Sequence, residues 1–439
     1  MFFLSLLMIF KIFFVSKYKS FPSLFLSLIM AVKTFSLIPI WDLVVSPSSW
    51  IIIDSFSFPI MVMTVMLLIM FEVANLAFYL MTVLVTFSLL TFVVANSLTF
   101  FVMFELNLVP IFFIIMGWGY QPERIYATKT MFFYTMMGSL PLLLFIIMNG
   151  GLSQLMLIMN LTLGGMQTNF FLMMLLAFLV KLPIFSLHLW LPLAHVEAPL
   201  VGSMILAGIL LKLGGYGLVR MITMMATTNN MGISLLTLFC VTGTLISAFY
   251  CMVQVDMKVI IAYSSVVHMS LAAASALTLT QLGMNATLIN LVAHGFISSM
   301  MFFSAGLMYS MSGSRSILMN KGLITVSPML ITFWFLTCLS NAGGPPTINL
   351  LSEIWASFAI ILASKAFIPL VVMILFISML FNMKLFSIPT QGYTLKNNLT
   401  LPITYSSTIS ALLHLSSSIF MLMFIFIITN YSEIMILLA

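Results

Sequence analysis

Charged side chains are scarce in this sequence, and acidic ones are the scarcest. Of its 439 residues, 15 are Lys or Arg and 9 are Asp or Glu, so that 5% are charged, whereas soluble domains carry about 25%. This deficit excludes a soluble globular protein. Hydrophobic residues make up 63% of the chain and run continuously instead of alternating, which favours membrane-spanning helices over a β-barrel. At about 20 residues per crossing, this apolar content suffices for about 14 crossings.

Cysteines and nucleotide-binding motifs are also few or lacking. The three cysteines, Cys240, Cys251 and Cys338, are far apart and form no C-x-x-C pair. Because an iron–sulfur cluster usually needs four thiolates, the chain cannot hold one alone. No G-x-G-x-x-G or G-x-x-x-x-G-K-S/T motif occurs, which argues against binding of NADH or ATP. The first 30 residues contain no small-residue cleavage site and no Arg-rich presequence, and we therefore expect a first span there instead of a removable signal.

Charges, Pro/Gly clusters and polar stretches divide the chain into 14 predicted spans. The first is short and contains Lys11, and the twelfth is too long for one straight crossing. The stretch NAGGPP at 341–346 interrupts the twelfth span and Lys181-Leu-Pro183 interrupts the seventh, because proline lacks the N–H donor that continues a helix. The predicted spans are 2–15, 21–40, 57–71, 76–96, 98–117, 128–148, 169–190, 198–222, 231–252, 258–280, 284–311, 323–363, 366–387 and 406–430.

The distribution of basic residues predicts one orientation in the membrane. Loops after odd-numbered spans carry nine basic residues and loops after even-numbered spans carry two. By the positive-inside rule the odd loops face the cytoplasm, or the matrix of a mitochondrion, and both termini face the other side. The net charge of +6 is therefore attributed to topology and not to a nucleic-acid surface. The nine are Lys17, Lys19, Arg124, Lys129, Lys258, Arg315, Lys321, Lys384 and Lys396, and the two are Arg220 and Lys365.

Spans four to eight and nine to thirteen are predicted to form two five-helix units, each with its interrupted helix in fourth place. Because each unit has an odd number of helices, the second copy is inverted relative to the first, an arrangement that points to an ion site at the breaks. Pro and Gly are common in membrane helices, so the alternative is that the two breaks fall at corresponding places by coincidence. The predicted divisions are N-terminal helices 1–3 in 1–75, the first repeat in 76–222, the second in 231–387 and helix 14 in 388–439.

After the loop charges and the span-end anchors are set aside, six ionisable residues within the predicted spans are singled out. A Lys or a carboxylate costs about 3 kcal/mol at the centre of a membrane helix, and packing does not require that cost. A proton relay or ion path in a hydrated bundle interior is therefore the default interpretation. Opposite charges are expected to pair, and histidines suit the middle of a relay because they titrate near neutrality. The six are Glu105, Lys181, Lys212, His268, His294 and Glu353, with Glu105 expected to pair with Lys181.

Each of these residues also has a structural interpretation. Glu105 could belong to a buried structural pair, the lysines could extend toward an interface, and the histidines could be hydrogen-bonded core residues. A metal site at His188, His195 and Glu197 is disfavoured, because Pro192 disrupts their common helical face, and interfacial polar residues are the favoured interpretation. Residues near span ends are predicted to be interfacial anchors, namely Lys11, Lys33, Asp42, Asp54 and Glu72.

Six short stretches follow one another in a distinctive order. They are WGYQPER (118–124), KLPIFSLHLWLPLAHVEAP (181–199), LKLGGYG (211–217), IAYSSVVHM (261–269), AHG (293–295) and PPTINLLSE (345–353). In order and spacing they resemble the antiporter-like subunits of mitochondrial NADH:ubiquinone oxidoreductase (respiratory complex I), and the chain 4 family in particular. Two positions depart from the family pattern: Leu193 stands where the family usually has Lys, and Val267 where it usually has Ser.

The resemblance implies an all-α polytopic membrane protein of about 14 helices with two inverted five-helix repeats and interrupted helices 7 and 12. It also implies one proton channel driven by redox chemistry elsewhere in the complex. The chain is then expected to bind no cofactor, with NADH, flavin, iron–sulfur clusters and ubiquinone on other subunits. The implied roles are a coupled pair for Glu105 and Lys181, the next step for Lys212, central relays for His268 and His294, and the exit group for Glu353.

The same resemblance implies partners and a location. The expected partners are other membrane-arm subunits, including neighbouring antiporter-like chains, and lipids, with no nucleic acid. The expected location is the mitochondrial inner membrane, with both termini on the intermembrane-space side. Three other functions remain open: a stand-alone cation/proton antiporter, a structural spacer of the membrane arm, and a haem electron carrier. The haem carrier is the least favoured, because one central histidine in each of two spans gives too few axial ligands for two haems.

Overall fold

The computed structural model describes residues 44–45, 52–74, 79–148, 168–224, 231–393 and 405–438. Over these ranges the chain is almost entirely helical. Two short strands, β1 (Val44–Val45) and β2 (Ile52–Ile53), pair antiparallel. The predicted spans 2–15 and 21–40 lie outside the described residues, and so do the predicted anchors Lys11, Lys33 and Asp42.

Seventeen α-helices are described in these ranges. A π-helix, Leu206–Leu210, joins α8 to α9, and short 3-10 helices occupy Leu318–Asn320 and Lys365–Phe367. The α-helices are α1 Ser57–Val73, α2 Tyr79–Val93, α3 Ser97–Leu106, α4 Leu108–Trp118, α5 Arg124–Met148, α6 Thr168–Lys181, α7 Trp190–Glu197, α8 Leu200–Ile205, α9 Leu211–Met224, α10 Met231–Val253, α11 Met257–Leu277, α12 Gln281–Ser312, α13 Leu323–Val326, α14 Pro328–Asn341, α15 Ile348–Ala363, α16 Ile368–Thr390 and α17 Tyr405–Leu438.

Several helices are long and apolar enough to cross a membrane. In the described part of the chain there are seven, or up to eight if the bent pair Leu318–Val326 and Pro328–Asn341 counts as one span. The chain is therefore an all-helical, multi-pass membrane protein. The bend within that pair is 119°, so the predicted twelfth span, drawn from residue 323, starts in a separate short helix. The seven are Ser97–Trp118, Arg124–Met148, Leu200–Ile222, Gly232–Val253, Met257–Leu277, Gln281–Ser312 and Lys365–Thr390.

The described residues divide into two compact units. The first unit comprises Met1–Lys181 and Glu197–Asn230, and the second comprises Leu182–Val196 and Met231–Ala439. In the first unit α5 packs on α6, and α6 packs on α9. Gly217 permits the α6–α9 contact, because a Cβ atom at that position would overlap the ring of Phe178.

Replacing Gly217 by Ala tests this close approach. The added methyl must displace the buried Phe178 ring, and we expect a loss of about 1–3 kcal/mol, the usual cost of overpacking a core. The matched control is Gly232→Ala in α10, where nothing lies within 4 Å of the added Cβ. That control is expected to be neutral or slightly stabilising, since Ala favours helix over Gly. Thermal melting of the purified protein measures both, and equal melting temperatures for the two variants would contradict the prediction.

In the second unit, α12 packs against α11, α14, α15 and α17. It has 32 residues, a length of about 48 Å that exceeds the hydrocarbon core. Its two ends follow from the sequence. At the N-terminus, the hydroxyl of Thr280 accepts a hydrogen bond from the Gly283 N–H, a common N-cap. At the C-terminus, Gly313 follows the last turn with a left-handed φ of 68°, a common way for a helix to end.

The structure interrupts the helices at both stretches where the sequence predicts a break. After Lys181 the chain turns through residues 182–189, with Ser186 at a φ of 83°, and helix resumes at Trp190. After Asn341 it turns through residues 342–347, with Gly343 at a φ of 70°, and helix resumes at Ile348. The prolines in each stretch explain the breaks, since they cannot donate the next helical hydrogen bond.

Candidate functional site

The first unit brings together the predicted pair Glu105 and Lys181. Lys181 is the last residue of α6, and its Nζ lies 3.4 Å from Oε1 of Glu105 near the end of α3. The same ammonium donates a hydrogen bond of 3.0 Å to the Phe104 carbonyl and lies over the Phe104 ring. Both side chains are largely buried, with exposed fractions of 4% for Lys181 and 14% for Glu105. The helix break therefore places a buried cation at a helix C-terminus, where the helix dipole also favours it.

Lys212 is fully buried in the same unit. It is the second residue of α9, directly after the π-helix Leu206–Leu210, and its Nζ donates a hydrogen bond to the Ala207 carbonyl. A π-helix widens one turn and alters the backbone hydrogen bonds of the following residues. The wider turn therefore supplies a backbone acceptor for the buried side-chain nitrogen of Lys212.

The second unit brings together His268, His294 and Glu353. Nδ1 of His268 on α11 lies 3.4 Å from Oε1 of Glu353 on α15, and the ring centroids of His268 and His294 are 6.0 Å apart. All three side chains are buried. Glu353 lies in the second turn after the break at 342–347, and Gly343 in that break leaves room for its Oε2, since a Cβ there would lie 2.6 Å from that oxygen. The arrangement places two imidazoles and one carboxyl group next to a helix break.

Three buried asparagines complete this cluster, and sequence reasoning missed them. Asn349 donates a hydrogen bond of 2.8 Å to Oε1 of Glu353, and Asn341 donates one of 2.8 Å to Oδ1 of Asn382 on α16. Asn341 is the last residue before the break at 342–347, and Asn349 is the second residue of the helix that follows it. The helix-breaking stretch was therefore a sequence signal for both. Asn382 gave none, because it is a single amide in an otherwise apolar run.

A second buried ion pair was also missed. The guanidinium of Arg220 on α9 makes a two-pronged contact of 2.5 Å with both carboxylate oxygens of Asp54 and lies 4.8 Å from the centre of the Tyr216 ring. Tyr216 donates a hydrogen bond of 3.1 Å to the Phe92 carbonyl. The sequence assigned Arg220 to a loop and Asp54 to an interface, whereas Arg220 is buried within the helix. The spacing of Lys212, Tyr216 and Arg220, four residues apart, was the available signal for one helix face.

The pair changes the titration of Asp54, which lies outside the helices. Burial alone would raise the pKa of Asp54, but the charge and hydrogen bonds of Arg220, with hydrogen bonds from Ser57, outweigh burial and hold that pKa below its usual range.

Other residues of the sequence interpretation have definite places. Lys258 and Arg315 both donate hydrogen bonds to the Val196 carbonyl at the end of α7, at 3.4 and 2.9 Å. His195 was expected at an interface, but it is buried and its ring stacks on that of Phe302, with centroids 4.6 Å apart. Another buried histidine, His414 on α17, was not singled out from the sequence; its Nδ1 lies 2.7 Å from the Ser410 carbonyl.

Metal-ligating side chains do not converge in the described part of the chain. No group of three or more His, Cys, Asp or Glu residues there has the geometry to hold a metal ion. His188, one of the three residues considered as ligands, packs instead between Phe185 and Tyr263, with ring centroids 5.0 and 5.6 Å away.

The sequence is similar to a group of named proteins. It is 43% identical over 298 residues to NADH-ubiquinone oxidoreductase chain 4 of Locusta migratoria, covering 67% of this chain and 66% of that protein. It is 44% identical over 257 residues to that of Aedes aegypti, covering 58% and 57%, and 38% identical over 340 residues to that of Paracentrotus lividus, covering 75% and 72%. The aligned segments thus span between 57% and 72% of the length of these relatives.

The fold is shared with solved membrane complexes. A chain of respiratory complex I from Thermus thermophilus with bound NADH superposes with a TM-score of 0.83 at 20% identity, covering 94% of each chain. A chain of the Mrp complex from a Dietzia species superposes with a TM-score of 0.73 at 15% identity, covering 85% of this chain and 77% of that one. The family model described as "NADH:quinone oxidoreductase/Mrp antiporter, TM" matches residues 94–382, which contain all six predicted relay residues. The chain therefore belongs to the NADH:quinone oxidoreductase/Mrp antiporter family of membrane proteins, and its named relatives in that family are chain 4 proteins.

Proposed function

We propose that the chain is a proton-translocating, antiporter-like subunit of the membrane arm of respiratory complex I. In this role it couples electron transfer from NADH to ubiquinone, performed on other subunits, to proton movement through its own buried side chains. The relatives named NADH-ubiquinone oxidoreductase chain 4 support the assignment to this complex. The observation that carries the proposal is the burial of Lys181, Lys212 and Glu353 beside irregular backbone in a membrane protein.

These buried charges are energetically costly inside a membrane. A charged side chain deep in a bilayer costs several kcal/mol unless it has a partner or water, and such residues generally mark ion or proton pathways. Irregular backbone at membrane depth is tolerated where it is buried or lines a hydrated cavity. Each helix break, and also the π-helix, lies next to an ionisable side chain. The irregular backbone and the buried ionisable groups therefore occur together.

The proposed chemistry assigns one step to each group. Glu105 holds the Lys181 ammonium in its charged form, and movement of the two apart favours release of the lysine proton. Lys212 is the next proton carrier, His268 and His294 relay protons in the second unit, and Glu353 is the exit group. Each group binds and releases a proton at its own nitrogen or oxygen atom, so the chain needs no cofactor for this work.

The finer architecture belongs to the same proposal. We infer 14 membrane helices with two inverted five-helix repeats, divided at 1–75, 76–222, 231–387 and 388–439. The fold shared over 94% of the chain with a complex I chain supports a complete antiporter-like unit. The helix breaks after Lys181 and after Asn341 support the repeat, because they fall in the corresponding fourth helix of each half.

Location and partners follow from the proposed role. The chain would lie in the mitochondrial inner membrane, with the odd loops in the matrix and both termini on the intermembrane-space side. Its partners would be other membrane-arm subunits, including neighbouring antiporter-like chains, and lipids. NADH, flavin, iron–sulfur clusters and ubiquinone would be held by other subunits.

One alternative function has an observation in its favour. The fold is also shared with a chain of the Mrp complex, and the same buried charges suit a stand-alone cation/proton antiporter. Co-purification separates the two functions: a complex I subunit must migrate with the flavin and iron–sulfur subunits in a native gel of mild-detergent extracts, whereas a stand-alone antiporter would not.

Replacing Lys212 by Met tests the proton role directly. Met fills a similar volume without a charge, so the complex is expected to assemble and oxidise NADH, because replacing a buried charge by an apolar group is often neutral for stability. Proton transfer through this chain is expected to fall by about a hundredfold or more, the usual contribution of a positioned proton carrier. The measurement is the ratio of protons pumped to electrons transferred in proteoliposomes that contain the intact complex of a manipulable host.

Lys365→Met is the matched control. Lys365 is the exposed first residue of the short 3-10 helix Lys365–Phe367, so this variant removes the same charge from outside the proposed path and is expected to keep the normal ratio. A normal ratio in Lys212→Met as well would support the structural-spacer interpretation and contradict the proposed function.

A further inference from the structure

The Lys181 ammonium has a second partner beside Glu105. Its Nζ lies 3.0 Å from the centre of the Phe104 ring and donates a hydrogen bond of 3.0 Å to the Phe104 carbonyl. Oε1 of Glu105 lies farther away, at 3.4 Å, whereas a charge-assisted hydrogen bond is about 2.7–2.9 Å long. Among the contacts of this cation with the described part of the chain, the two closest therefore come from a residue without a charge.

The Phe104 ring is held in place by other aromatic rings. It stacks on the Phe100 ring, with centroids 5.6 Å apart and planes at 27°, and it meets the Phe178 ring edge-on at 5.6 Å. All three rings are fully buried. The Phe178 ring is in turn confined by the α9 backbone at Gly217, where a Cβ atom would overlap it. Because a packed core deforms little, the ring face under the ammonium stays in place.

The Glu105 carboxylate is held less firmly than the Phe104 ring. Its Oε2 is buried and has no hydrogen-bond partner among the described groups, and its Oε1 makes the long contact with Lys181. A carboxylate with so few hydrogen bonds gains little free energy by staying in one place. The ring is therefore the fixed partner of the ammonium, and the carboxylate is the variable one.

The contact with the ring favours the ammonium form of Lys181 over the neutral amine. The negative face of an aromatic ring attracts a cation, and the attraction grows where the cation is removed from water. The Lys181 side chain is only 4% exposed, so this attraction is little weakened by solvent. Contacts of this kind shift an equilibrium by about 2- to 30-fold, which is enough to decide whether the nitrogen keeps its proton.

We propose that Phe104 is a positioning residue that shares with Glu105 the task of holding the Lys181 ammonium. This inference rests on the proposed proton relay and adds a condition for release of the lysine proton. Loss of the carboxylate contact alone is not sufficient, because the ring and the carbonyl of Phe104 still hold the cation. Phe104 and Glu105 are consecutive residues of α3, so a single displacement of the lysine nitrogen away from the end of α3 breaks all three contacts together. Until then the proton stays on Lys181.

Stepwise fluorination of the Phe104 ring tests the proposal. Replacing Phe104 by mono-, di- and trifluorinated phenylalanine withdraws electron density from the ring face with little change of shape, so the attraction for a cation weakens in that order. We expect the melting temperature of the full chain in detergent to fall stepwise, by about 2–4 °C for the trifluorinated ring. In the intact complex, the ratio of protons pumped to electrons transferred is expected to fall in the same order, because the ammonium leaves the ring and loses its proton too early.

Two controls show whether the ammonium is the cause of these effects. In a Lys181→Met background no cation faces the ring, so fluorination of Phe104 is expected to shift the melting temperature by less than about 1 °C. Phe92 is the matched control ring, because it is equally buried in the same unit but packs edge-on against the Tyr216 ring, with centroids 5.2 Å apart. Its fluorination is expected to leave the pumping ratio unchanged.

The outcomes separate this proposal from the proposed function. If fluorination of Phe104 shifts the melting temperature equally with and without the Lys181 cation, the ring only packs and the proposal is wrong. If the melting temperature falls stepwise while the pumping ratio stays normal, the ring holds the ammonium without controlling its proton, and the positioning role is overturned. The relay is judged separately by Lys212→Met: a normal pumping ratio in that variant would overturn the relay, whatever the Phe104 variants show.

Discussion

Asp54→Asn is expected to lower the free energy of unfolding of the first unit by about 3 kcal/mol. The substitution leaves the Arg220 guanidinium buried without its two-pronged carboxylate partner, and breaking a buried ion pair on one side typically costs 3–5 kcal/mol. The lower end applies, because the Asp54 side chain is 20% exposed and the Arg220 side chain 9%. Thermal melting of the purified protein in detergent measures the change. Asp256→Asn, at an exposed position, is the matched control and is expected to melt like the unchanged protein.

The same pair predicts a pH dependence with a definite sign. Arg220 and Ser57 hold the pKa of Asp54 below its unfolded value, so the pair contributes its full stability above that value, near pH 4. This stability is lost as the pH falls through the lower, folded pKa. The unchanged protein is therefore expected to lose melting temperature more steeply than Asp54→Asn between about pH 4 and lower values. Parallel curves for the two proteins over that range would contradict the assignment.

Much of the helical architecture could be predicted because the membrane leaves few choices. Continuous apolar runs must satisfy their backbone hydrogen bonds internally, which forces helices. Pro183 and the glycine–proline stretch after Asn341 cannot continue one. The pairing of Glu105 with Lys181 was predictable for a similar reason: opposite charges in hydrocarbon have few other ways to offset desolvation.

The sequence alone could not locate partners that come from distant parts of the chain. Asp54 meets Arg220 across 166 residues of sequence, and no local pattern records that contact. The positive-inside rule assigned Arg220 to a loop, because this rule counts basic residues near span ends and takes no account of whether a partner buries them. Its position four residues after Tyr216 and eight after Lys212 would have suggested a helical face, but not the carboxylate opposite.

Uncharged polar groups were missed for an energetic reason. A single amide or imidazole is less costly to bury than a charge, so Asn382 and His414 did not stand out in their apolar runs, although both are buried in the structure. The π-helix before Lys212 was equally hidden. The hydrogen bond from Lys212 to the Ala207 carbonyl beside it is likewise a property of the folded backbone and not of a sequence motif.

Glu105→Gln is expected to separate the structural and the functional roles of the Lys181 pair. The glutamine keeps the volume but leaves the buried ammonium without a carboxylate 3.4 Å away, so we expect a loss of about 3 kcal/mol in the free energy of unfolding. Proton pumping is expected to fall as well, because the ammonium loses the group whose approach and withdrawal would control its proton. Glu123→Gln is the matched control, since Glu123 is exposed, and it is expected to change neither quantity.

The double variant Glu105→Gln, Lys181→Met shows which role matters for pumping. With both charges removed no buried ion is left unpaired, and stability is expected to recover to within about 1 kcal/mol of the unchanged protein. Pumping is expected to stay at the level of the single variant, because the proton-carrying nitrogen is gone. Melting temperature and the ratio of protons to electrons, measured on the same preparations, therefore diverge. If the melting temperature and the pumping ratio both recovered, the pair would only stabilise the fold, because Gln and Met side chains cannot carry the proton.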